Sequence, residues 1–135
     1  ELAFDPVEMA PPAKTTTVTP PNASRTIDRD LKTGRWTEKL IEDHGCFHIH
    51  DIDLDVAHSV HSTFDIIEND PLSADARWVW RSKLDRDGWH IDIETTTRLR
   101  VDALNFIVDT DIDAKQDGIS IFSKAWRDRI PRDGL

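Results

Sequence analysis

Apolar and polar residues alternate with a period of two through most of this chain. The clearest stretch runs Trp89, Ile91, Ile93, Thr95, Thr97, Leu99 and Val101, with His90, Asp92, Glu94, Arg98 and Arg100 in the opposite parity. That pattern predicts one long strand with an apolar face and a charged face. Ahead of it, Ala76, Trp78, Trp80, Ser82 and Leu84 alternate with Arg77, Val79, Arg81 and Lys83. Behind it, Phe106, Val108, Thr110 and Ile112 alternate with Asp109, Asp111 and Asp113, and Ile119 to Ile130 forms a last strand. Thr33-Gly34, Asp87-Gly88 and Asp117-Gly118 punctuate the alternation as hairpin turns, which need positive φ at low steric cost. The expected fold class is all-β, an antiparallel meander of long hairpins forming a curved sheet. Such a sheet is expected either as one layer of a sandwich or as a partly closed barrel.

The first half of the chain is less regular. Residues 1–24 carry Pro6, Pro11, Pro12, Pro20 and Pro21 around Thr15, Thr16 and Thr17, and read as an irregular leader before an antiparallel β domain over 25–135. Phe4, Val7 and Met9 are apolar enough to pin that leader to a core. Ser24 to Asp30 and Trp36 to Asp43 flank the first turn, and His44-Gly45 reads as a second. Apolar parity switches between Ile49 and Ile52, so a bulge or break is expected there. A strand from about Ala57 to Ile67 should end at Asn69-Asp70-Pro71.

Composition narrows the function. The 135 residues suit one domain, and the net charge of −9 argues against a phosphate-binding surface. No apolar run approaches the roughly 20 residues of a membrane helix. The opening Glu1-Leu2-Ala3-Phe4-Asp5 has no basic flank and no initiator Met, which predicts no secretory signal and a piece of something longer. A single cysteine, Cys46, excludes an internal disulfide. Cytoplasm is the expected compartment, with neither membrane nor nucleic acid as a partner.

Several residue sets invite chemistry. His44, Cys46, His48 and His50 recur every second residue, with His58 and His61 nearby, and imidazole and thiolate suit zinc or copper. Gly45 interrupts that strand where the spacing matters, so surface histidines and no metal are expected. Asp51, Asp53 and Asp55 are interleaved with Ile52, Leu54 and Val56, which want burial. Asp109, Asp111 and Asp113 repeat the arrangement, so both runs read as outward strand faces and not as calcium loops. Gly118-Ile119-Ser120 opens like a nucleophile elbow, but Phe122 stands where a glycine is required. No catalytic residue and no cofactor motif is identified. Trp78 and Trp80 share a face and are the candidate ligand-binding residues, able to floor an apolar cavity.

From Ser24 onward the chain resembles the C-terminal end of CocE/NonD-type hydrolases, the group of cocaine esterase and X-prolyl dipeptidyl-peptidases. The matching pieces are Arg25-Thr26-Ile27-Asp28-Arg29-Asp30 with Thr33-Gly34-Arg35, then Asp70-Pro71-Leu72-Ser73-Ala74. Trp89 with Glu94-Thr95-Thr96 follows, and the ending Trp126-Arg127-Asp128-Arg129-Ile130-Pro131-Arg132-Asp133. Pro11-Pro12 ahead of Thr15 to Thr17 also fits. The resemblance implies a jelly-roll-like, non-catalytic β domain that packs on an α/β-hydrolase domain carrying the Ser-His-Asp triad. No triad motif has a counterpart in this sequence. The expected partner is therefore such a hydrolase domain, or a second copy joined by a strand edge. The alternative is a stand-alone small-molecule-binding barrel or sandwich with a Trp-lined cavity.

Overall fold

A computed structural model describes residues 10–133. They form one antiparallel sheet of eight strands and a single 3-10 turn, His50–Ile52. The strands are β1 (Thr15–Thr19), β2 (Asn22–Asp30), β3 (Arg35–Ile49), β4 (Leu54–Ile67), β5 (Asp70–Arg86), β6 (Trp89–Val101), β7 (Asn105–Gln116) and β8 (Ile119–Pro131). From β3 to β8 the order is a plain meander. β1 and β2 both pair with β3, β1 along Cys46–Ile49 and β2 along Arg35–Asp43. The curved all-β sheet is as expected. Among the described residues, neither a second layer nor closure into a barrel is present.

The hairpins sit where the turn chemistry places them. Asp117 and Gly118 both take positive φ, 51° and 78°, which suits a two-residue turn matched to strand twist. At the first turn, Asp30 accepts hydrogen bonds from Lys32 N (2.8 Å) and Thr33 Oγ1 (2.8 Å), and Gly34 N reaches Asp30 O at 2.8 Å. The Thr33 hydroxyl, and after it the Lys32 amide, hold the Asp30 carboxyl below its usual range. The parity switch after Ile49 is resolved by the 3-10 turn and by Asp53 at φ 49°.

Two expectations need correcting. Residues 15–24 are not irregular, because Thr15–Thr19 forms β1 and Asn22 opens β2; Phe4, Val7 and Met9 lie outside the described residues. Threonine is a good strand former, and Pro20-Pro21 occupies only the jog between β1 and β2. His44-Gly45 is not a turn but a bulge within a continuous β3, where the register with β4 shifts between Asp43 and Cys46. Gly45 is at φ 73°, and a Cβ there would lie 2.2 Å from Thr19 O and 2.8 Å from Pro20 C. The bulge makes room for the β1–β2 jog, and only glycine fits beneath it.

Gly45→Ala should cost about 2 kcal/mol or more, since it adds a backbone clash to an unfavourable φ. Gly88→Ala, at φ 69° with nothing within 4 Å, should cost only about 1 kcal/mol. Urea titrations of the two variants test the difference, and equal losses would show that the jog does not press on Gly45.

Candidate interaction surface

The register decides which side chains share a face. Directly paired residues lie on the same side of a sheet, so faces can be traced from strand to strand. One row runs Arg25, Leu40, Ser62, Trp78, Thr97, Thr110, Trp126, and the next Ala23, Glu42, Val60, Trp80, Thr95, Ile112, Lys124. Trp36 pairs with Ile66, and Trp89 with Arg86, both on this side. All five tryptophans therefore share one face. Phe47, Phe64, Phe106 and Phe122 join them by the same tracing.

That face is poorly covered. Among the described residues only Val60, at 5% exposed, and Ile91, at 9%, are buried hydrophobics. Trp36, Trp80, Trp126, Phe47, Phe122 and Ile130 are all exposed. The accessible surface is 10252 Å², against roughly 7,200 Å² for a compact chain of this mass. A sheet with one apolar face needs a second layer, and the described residues supply none.

Trp78 and Trp80 share a face as expected, and neither lines the apolar groove on that face. Trp78 is half-buried, with its ring edge-on to Phe64 at 5.6 Å. Trp80 packs beside His58 at 5.4 Å and is largely open to solvent. The apolar groove on this face, 370 Å³, is lined instead by Ile27, Trp36, Phe64, Ile66, Leu99 and Val101. Sequence alternation gives each residue's parity but not the lateral register, so it could not show that Trp36 and Leu99 meet across four strands.

The opposite face is a grid of charges. Arg98 donates from Nε to both oxygens of Asp75 (2.9 and 3.0 Å). Arg100 pairs with Asp109, while Arg127 reaches Asp111 at 2.6 Å and Asp109 at 3.5 Å. Arg81–Glu94 (2.7 Å) and Lys83–Asp92 (3.2 Å) continue the pattern between β5 and β6. Two open grooves cross this side, of 730 and 580 Å³, and the second is lined by Thr63, Arg77, Arg98, Asp109 and Arg127 among others. The acidic alternation Asp109, Asp111, Asp113 is thus an outward face holding arginines and a lysine. Ser120 donates to Asp113 at 2.5 Å just after the hairpin turn, an ordinary strand contact.

His44, His48, His50 and His58 form two separate pairs rather than one cluster with Cys46, His48 lying edge-on to His50 at 4.8 Å. The bulge sends His44 toward His58, ring centroids 5.4 Å apart. His48 is bound to Asp55 on the charged side (2.7 Å), and His50 to Thr16 beyond the strand end (2.7 Å). Asp51 and Asp53 fall in or at the 3-10 turn rather than on a strand face. Burial, reinforced by Asp55 and Asp85, pushes the Cys46 thiol up, so it stays protonated at neutral pH. Among the described residues no three metal-ligating side chains gather, and no helix is long and apolar enough to cross a membrane.

The Arg98 hydrogen bonds hold the Asp75 carboxyl below its usual range against the opposing effect of burial. A depressed carboxylate adds stability above its unfolded pKa and loses it as pH falls through the folded one. Asp75→Asn should therefore flatten the acid limb of a stability profile below about pH 4. Because Arg77 lies directly opposite Arg98, the variant should also lose about 1 kcal/mol at neutral pH, less in high salt. His90 is held above its usual range by its hydrogen bond to Asp85 (2.8 Å). Its contribution has the opposite sign, present in acid and lost as pH rises through the raised value. In an NMR titration, Asp85→Asn should lower the His90 midpoint, and an unmoved midpoint would contradict the assignment.

No family model, curated protein or solved structure matches this chain.

Proposed function

We propose that this chain is a non-catalytic β domain whose tryptophan-bearing face packs against a neighbouring globular domain. The observation that supports this most is the sidedness of the sheet. Five tryptophans and four phenylalanines stand on one face of a single layer, and no described residue covers them. Large exposed apolar patches mark surfaces that are covered in the working protein. The resemblance to CocE/NonD-type acyl hydrolases and X-prolyl peptidases supplies the kind of domain that would cover it, an α/β-hydrolase domain bearing its own triad.

A second reading rests on the groove at Trp36 and Phe64. At 370 Å³ it is the size of a small-molecule site, which would make the chain a stand-alone binder of an apolar ligand. Native mass spectrometry would favour it by finding a copurified small molecule that Trp36→Ala releases.

The accessory reading predicts that the purified chain turns over neither p-nitrophenyl acyl esters nor X-Pro-p-nitroanilides. Turnover that persists through repeated chromatography would overturn it.

A further inference from the structure

β8 ends the sheet, and among the described residues nothing pairs with its outer edge. All thirteen of its residues are exposed. A long unprotected edge is a template for another strand, and proteins usually blunt such edges with charge. β8 is charged, but its charges are disposed unusually. Arg127 and Arg129 on the charged side are occupied by Asp109, Asp111 and Asp102. Lys124 and Asp128 stand on the tryptophan face, opposite Ile112 and Val108, with no carboxylate or cation paired to either among the described residues; Lys124 lies over the ring of Trp126, 4.8 Å from its centroid. Lys124 and Asp128 are four residues apart on one strand, about 13 Å. They cannot reach each other within one chain.

We propose that β8 pairs with β8 of a second copy, antiparallel and centred on Trp126, to give one continuous sixteen-strand sheet. A twofold axis normal to the sheet keeps each face on its own side, so residues pair with partners of like parity. With Trp126 opposite Trp126, Lys124 lies opposite Asp128 twice over, and Phe122 lies opposite Ile130. On the charged face, Ala125 meets Arg127 and Ser123 meets Arg129. No like charges are opposed. Centring on Lys124, Arg127 or Asp128 would set identical charges against each other. Centring on Ala125 would put Phe122 against Asp128.

The opposite edge of the sheet does not offer an equivalent partner. A β8–β2 pairing that sets Asp128 against Arg25 sets Lys124 against Arg29. Both arginines are already engaged, with Glu38 and Glu68. That contact is also head-to-tail and would propagate without closing, whereas β8–β8 closes as a dimer. The proposal is independent of the accessory role, because edge pairing leaves the tryptophan face free.

The test is the mass in solution of the full chain and of charge-reversed variants. Sedimentation equilibrium should give twice the 15.5 kDa chain mass. Lys124→Glu and Asp128→Lys should each weaken the dimer roughly tenfold or more, since each turns two attractive pairs into repulsive ones. The double variant Lys124→Glu/Asp128→Lys should recover it. A monomer at every concentration, singles that associate like the parent, or a double that does not recover would each overturn the proposal. A second measurement fixes the register in a Cys46→Ser background. Ala125→Cys protein mixed with Arg127→Cys protein should form a mixed disulfide on oxidation, and Ala125→Cys protein alone should not. The reverse result excludes the register.

Discussion

A pleated sheet has two faces, and strict alternation across aligned strands makes this one apolar on one side and ionic on the other. The meander pairs are in register over long stretches, twelve consecutive pairs between β5 and β6 alone. A one-residue slip would exchange the faces of every strand beyond it. The alignment therefore decides that all five tryptophans gather on one side, and most of the molecule's properties follow from that gathering. It produces the apolar groove at Trp36, the exposed Trp80 and Trp126, and the surplus of accessible surface.

The ionic face completes the same arrangement. Many carboxylates and arginines on adjacent strands pair diagonally, as Arg98 does with Asp75, although the register also sets Arg77 opposite Arg98 and Asp65 opposite Asp75. Exposed pairs of this kind contribute little individually.

Much of this was legible in the chain itself. Strand positions and both faces of β5, β6 and β7 follow from parity, and Asp117-Gly118 forms the turn its residues require. The Gly45 bulge was less legible because its cause, the carbonyl of Thr19, is remote in sequence. Sandwich and barrel were both expected because each hides an apolar face. Local pattern contains no information about whether a chain supplies its own cover. Trp78 and Trp80 share a face of one strand and so are visible to parity, whereas the groove gathers Trp36, Phe64 and Leu99 through pairings that parity cannot reveal.

The central claim is that the tryptophan face of this chain is open, and solvent access to the five indoles tests it most directly. In a 1H-15N spectrum with a soluble paramagnetic agent added, the indole signals of Trp36 and Trp80, whose residues are 39% and 45% exposed and lie away from β8, should broaden strongly. Those of Trp78 and Trp89 should broaden less. Protection of all five would mean that a second layer covers this face, and would contradict the account.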